Sequence, residues 1–162
     1  MTERVDFYVL KGAAAKQRRA FACRLTEKAY LRDLSIVIAN DTLDDARSLD
    51  ELLWTFSERS FVPHEVCQDE HSMDPATRVH LLALRSSSSG SSSGSTSWPM
   101  PGADLLVNLT DRLPEGWERF ARIAEIIDGD EERRRLGRER FKTYRELKVV
   151  LETHQLDDTA EI

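Results

Sequence analysis

Residues 5–39 read VDFYVLKGAAAKQRRAFACRLTEKAYLRDLSIVIA. Val5–Leu10 is a short run of strand formers, and Ser35–Ala39 is almost wholly apolar, as a strand covered on both faces should be. Between them Ala14, Phe21, Ala22, Leu25 and Ala29 recur at helical spacing, which predicts an amphipathic helix. Strand, helix and strand in so short a span make a βαβ unit with an expected right-handed crossover.

The rest of the chain extends that unit. Thr42 and Asp45 approximate a capping box, and Leu43, Ala46, Leu49 and Leu53 follow at helical spacing, so a second helix is expected to end near Trp54–Ser57. Phe61–Val66 reads as a short extended piece, with Pro63 pointing to an edge or a loop. Val79–Leu84 and Asp104–Leu109 read as further strands. Ser86–Ser97, SSSSGSSSGSTS, has almost no apolar area to offset its ordering entropy and reads as a flexible loop inside the domain. Leu113-Pro114-Glu115-Gly116 breaks the pattern, and Trp117–Phe120 can form one helical turn. Ala121–Ile127 is expected to be the last strand, followed by a long charged helix from Glu131 to Glu152. The expected architecture is a single α/β domain over residues 1–152 with a tail at 153–162. Its sheet is mixed and mostly parallel, flanked by helices, with nucleotide-binding-like topology and a long C-terminal helix.

Composition sets limits. The 162 residues are 40% hydrophobic and 32% charged, with a net charge of −6. An acidic chain of this kind is not expected to bind nucleic acid tightly by itself. No apolar run approaches the length of a membrane span. Met1–Asp6 lacks the basic start and apolar stretch of a signal peptide, and Cys23 and Cys67 read as reduced thiols, so a cytoplasmic location is expected.

Charge is concentrated late in the chain. Residues 131–148 hold eight basic and four acidic side chains. On a helical wheel of about 100° per residue with Leu136 at zero, Leu147, Leu151, Tyr144 and Val150 form a core-facing stripe. Arg134, Arg138 and Arg145 fall on another face at about 160–200°, with Phe141 between that face and the core. Guanidinium groups beside an aromatic suit a short acidic peptide with an apolar anchor. A solvated face laced with pairs such as Glu131–Arg135 accounts for the same pattern. Arg140 falls inside the apolar stripe, so it must pair, snorkel or mark an error in the wheel.

Other motifs are weaker. His64, Cys67 and His71 could ligate zinc, but their spacing fits no common zinc motif. Gly12–Lys16 sits where a phosphate loop would lie yet has neither glycine fingerprint. No metal, cofactor or catalytic residue is assigned.

Four strings carry a resemblance: Phe7-Tyr8-Val9-Leu10, Leu49-Asp50-Glu51-Leu52-Leu53-Trp54, Ser60-Phe61-Val62-Pro63-His64, and the run from Arg138 to Arg145. In order and spacing the chain resembles the chi subunit of bacterial DNA polymerase III holoenzyme over essentially its whole length. The departures are the long Ser/Gly loop and the sequence after Tyr144. The resemblance implies a non-catalytic accessory protein of the clamp-loader complex, a monomer or one half of a heterodimer. It implies a surface for the acidic, Pro-Phe-ending tail of single-stranded-DNA-binding protein at Arg138, Arg134, Phe141 and Ile127. It also implies a surface for the psi subunit at Trp54 and Phe61.

Two rival functions remain: a nucleotide-dependent enzyme on a doubly wound sheet, and a direct binder of single-stranded DNA through the basic helix. A further expectation concerns Asp157–Ile162, acidic residues followed by an apolar one, which loosely imitate such a tail and could compete for the basic face.

Overall fold

The computed structural model describes residues 2–59, 61–67, 74, 76–85 and 103–156, with backbone only at 84 and 85. The Ser86–Ser97 loop, His71 and the segment 157–162 lie outside the described residues. In chain order the elements are β1 (Arg4–Leu10), α1 (Ala15–Tyr30), β2 (Ile36–Thr42), α2 (Leu43–Thr55), β3 (Glu65–Cys67), β4 (Val79–Arg85), β5 (Leu105–Asn108), β6 (Arg122–Ile127), α3 (Glu131–Glu146) and β7 (Val150–Leu156). A single 3-10 turn at Trp117–Arg119 precedes β6.

The seven strands form one sheet in the order β3-β4-β2-β5-β6-β1-β7, and every described pairing is parallel. This is the expected α/β domain of nucleotide-binding-like topology. The first βαβ unit is wide, because β6 and β5 lie between β1 and β2. Parallel strands need apolar residues on both faces, and β2 supplies them with Ile36, Val37, Ile38 and Ala39, all buried. On one face α1 and α2 pack through Phe21, Ala22, Leu25, Ala46, Leu49 and Leu53. On the other, Val5, Phe7, Leu106, Trp117, Phe120, Ile123 and Tyr144 form a second core layer beneath α3. The start of α2 is capped as expected, with Thr42 Oγ1 accepting from the Asp45 backbone N–H at 3.1 Å.

One expectation fails at the C-terminal side. The last helix stops at Glu146, and the chain turns back into the sheet as β7 rather than running helically to Glu152. Lys148 marks the break, with φ of 61°, a left-handed conformation that a helix cannot propagate. Val149, Val150 and Leu151 follow, and β-branched residues favour the strand. The core stripe drawn on the wheel is therefore wrong at its end: Leu147 and Val150 are 57% and 59% exposed. The buried face of α3 is instead Gly137, Arg140 and Tyr144.

β7 pairs with β1 in parallel and is tied to it by side chains on the α1 face of the sheet. Its register aligns Thr153 with Phe7 and Gln155 with Val9. On the α1 side, His154 Nε2 lies 3.0 Å from Asp6 Oδ1 and its ring stacks on Tyr8. Glu152 accepts from Arg4.

Candidate peptide-binding cleft

The turn between β6 and α3 is built on Asp128, Gly129 and Asp130. Gly129 allows a close approach: a Cβ there would meet the Lys11 carbonyl at 2.6 Å. Asp130 caps α3 by accepting from the Arg133 N–H at 2.9 Å. The buried Asp128 carboxylate accepts twice from the Arg133 side chain, at 2.8 and 2.7 Å. Burial by itself pushes this carboxyl up, yet the bonds from Arg133 and from the Asp130 N–H outweigh it and hold the group below the usual carboxylate range.

So fixed, α3 lies across the sheet beside the β7 edge and leaves a cleft of about 250 Å³. Phe7 and Val9 of β1, Ile127 of β6, Arg134, Gly137, Arg138 and Phe141 of α3, and Thr153 and Gln155 of β7 line it. The structure thus brings together all four residues singled out for a tail peptide: Ile127, Arg134, Arg138 and Phe141. The wall from β7 is not visible in the sequence, because a helix ending at Glu152 leaves Thr153 and Gln155 in the tail. Phe7 was masked by its place in a strand; its ring meets that of Phe141 edge-on, centroids 5.2 Å apart.

The basic residues of α3 differ sharply in availability. Arg133 is held by Asp128, Arg135 by Glu132 and Glu139, and Arg140 by Glu125. Arg135 thus pairs at 132 and 139 rather than with Glu131. Arg134 donates through Nε to the Asp128 carbonyl at 3.1 Å, with Nη2 3.5 Å from that of Leu10. Arg138, Lys142 and Arg145 make no ion pair or side-chain hydrogen bond among the described residues. Of the two guanidinium groups at the cleft, Arg138 is therefore free to grip an anion, while Arg134 is partly committed to the ends of two strands. The cleft combines one free cation, a second tethered cation, and a floor and wall of rings and aliphatic carbons. Such a lining matches, in charge and polarity, a carboxylate joined to an apolar group.

Trp54 and Phe61 also come together, at the opposite edge of the sheet. They are 46% and 70% exposed, with ring centroids 5.7 Å apart. The Trp54 ring packs on His64, whose own nitrogens lie 2.6 Å from the Val62 carbonyl and 3.0 Å from Asp50 Oδ1. With both nitrogens engaged there, His64 does not join Cys67 in a zinc site. Cys67 instead lies near Glu65 and His80, which pair at 2.8 Å.

At the C-terminal ends of the strands a second hollow of about 340 Å³ is lined by Arg18, Arg19 and Arg133 but also by Asp41, Asp45, Asp111, Asp130 and Glu132. Its carboxylates outnumber its cations, a poor lining for a phosphate. No helix among the described residues is long and apolar enough to cross a membrane.

The fold defines an α/β domain with a nucleotide-binding-like sheet. The crystal structure of T4 UvsW shares it, with a TM-score of 0.63 at 9% identity over 97% of this chain and 42% of that one. That likeness concerns the fold alone. Sequence narrows the class: the family described as the DNA polymerase III chi subunit, HolC, matches residues 1–152, and the chain belongs to that family. It is 31% identical to the DNA polymerase III subunit chi of Pseudomonas aeruginosa, over 94% of this chain and 96% of that protein. The subunits of the same name from Haemophilus influenzae and Escherichia coli are 23% and 24% identical, over 90% and 76% of this chain. Membership places the chain among accessory subunits of the replicative polymerase, in DNA replication.

Proposed function

We propose that this chain is a non-catalytic adaptor of the replisome. It tethers the clamp-loader complex to DNA by holding the acidic, Pro-Phe-ending tail of single-stranded-DNA-binding protein. The observation that supports this reading is the convergence of Arg138, Arg134, Phe141 and Ile127 on one cleft. In the proposed pose the terminal carboxylate meets the free Arg138 guanidinium in a two-pronged hydrogen bond. The terminal ring fills the space between Ile127 and Phe141. Acidic residues upstream meet Lys142 and Arg145. A short peptide buries little surface, so single-site binding is weak and gains strength when several tails are linked on one DNA. The Trp54–Phe61 pair is the proposed seat of the psi subunit, and both contacts take place in the cytoplasm.

The test is a titration with a fluorescent peptide of acidic residues ending in Pro-Phe, at low and moderate salt. Saturable binding that weakens with salt and is lost in Arg138→Ala is the expected result. Binding of bare single-stranded DNA by the isolated protein, with no response to the peptide, would replace this reading with the direct-binder alternative.

A further inference from the structure

The face that α3 turns to the sheet is polar where an apolar stripe is usual. Glu125 stands in the middle of β6 with Ile123, Ala124, Ile126 and Ile127 around it, and it has no exposed surface. Three donors from two elements converge on its carboxylate. Arg140 Nε of α3 lies 3.1 Å from Oε2, Tyr144 Oη of α3 lies 2.8 Å from Oε1, and Asn108 Nδ2 of β5 lies 2.9 Å from Oε1. Asn108 is itself fixed, because its Oδ1 accepts from the backbone N–H and the hydroxyl of Thr110 at 3.0 and 2.6 Å.

We infer that Glu125 is a positioning residue for the cleft, setting the rotation of α3 about its own axis. The inference rests on the peptide-binding reading above. Apolar contacts are non-directional and let a helix roll. Bonds to a guanidinium and a phenol one helical turn apart do not, because both must point at one carboxylate. A roll of about 30° would swing a side-chain tip at a radius of about 6 Å by about 3 Å. That is enough to take Arg138 out of reach of a carboxylate bound between Ile127 and Phe141. Buried ion pairs of this kind contribute little net stability against well-packed apolar residues, and their best-attested use is in fixing register.

The sign of the electrostatics makes the inference testable. Glu125→Gln removes a negative charge beneath a site for an anion, so long-range Coulomb forces alone would tighten peptide binding. Loss of position weakens it. The experiment measures peptide affinity of the full chain well below the unfolding midpoint, where a change in stability alone leaves the folded fraction and the Kd unmoved. Glu125→Gln is expected to raise the Kd about 3- to 30-fold, and Tyr144→Phe to raise it by less. The second readout needs no peptide: the nuclear Overhauser contact between the Phe7 and Phe141 rings of the free protein is expected to weaken in both variants. Unchanged or tighter binding with the ring contact intact overturns the inference. Should Glu125→Gln fail to fold, Tyr144→Phe decides by the same criteria. Failure of the wild type to bind the peptide would instead sink the adaptor reading, and the ring contact would then decide the role of Glu125.

Discussion

Gly137 of α3 rests so closely on Ile127 of β6 that a Cβ at position 137 would land on the Ile127 Cδ1 atom. Both residues line the cleft. In an exposed helix interior, Gly→Ala gains up to about 1 kcal/mol. Here the added methyl must push Ile127 into the cleft or lift the helix. Gly137→Ala is therefore expected to destabilise by about 1–2 kcal/mol net and to weaken peptide binding. Urea denaturation beside the peptide titration checks both. A stabilised variant with normal affinity would show the contact to be loosely packed.

Arg134 and Arg138 should separate under mutation. Arg138→Ala removes a side chain without internal partners, so its stability should stay within about 0.5 kcal/mol of wild type while peptide affinity falls about tenfold or more. Arg134→Ala also frees carbonyls at the ends of β1 and β6, and should cost about 1 kcal/mol together with a smaller part of the affinity. Unfolding midpoints for the two variants, set against their dissociation constants, test the distinction. Equal stability losses would contradict it.

The acid limb of the stability curve should report Asp128. Its carboxyl titrates lower in the folded protein than unfolded, where the ordinary value is about 3.9. Its contribution is present above that value and is lost as pH falls through the lower folded pKa. Asp6, which burial pushes up but which Arg4, His154 and Arg122 together hold low, behaves in the same sense. Asp128→Asn should be less stable at neutral pH and converge on the wild type below about pH 4. Urea midpoints from pH 2 to 7 would show it; parallel curves would exclude the role.

Phe61→Ala should leave the fold almost untouched, within about 0.5 kcal/mol, because the ring is largely exposed. Its proposed effect is on association. Size-exclusion chromatography with purified psi subunit should show a complex for the wild type and much less for the variant. A complex of undiminished strength would remove Phe61 from that surface.

Much of this was legible in the residues. The apolar run of β2 and the Thr42 cap point to elements that the structure contains, and the strings around Trp54 and Arg138 hold residues that it places at an exposed aromatic pair and at a cleft. The misreading of the last segment has a physical cause. Leu147, Val150 and Leu151 fit a helical period and a strand equally well over so short a run, and the wheel could not choose between them. Two signals could have corrected it. Arg140 falls inside the supposed apolar stripe, and Glu125 interrupts the apolar run of β6; each is costly to bury alone, and together they satisfy one another. The cleft wall at Thr153 and Gln155 had no such signal, because it depends on which strand forms the sheet's edge.

The strand order has a mechanical consequence. β3 and β7 close the two ends of the sheet, and the aromatic pair sits beside one while the cleft borders the other. Six strand spacings of about 4.8 Å place these rims about 29 Å apart. Two proteins gripping them would not crowd each other, and neither would need to sense the other. Any pull between them would run crosswise through six parallel ladders in series, so the domain would act as a short rigid strut whose length is set by its number of strands.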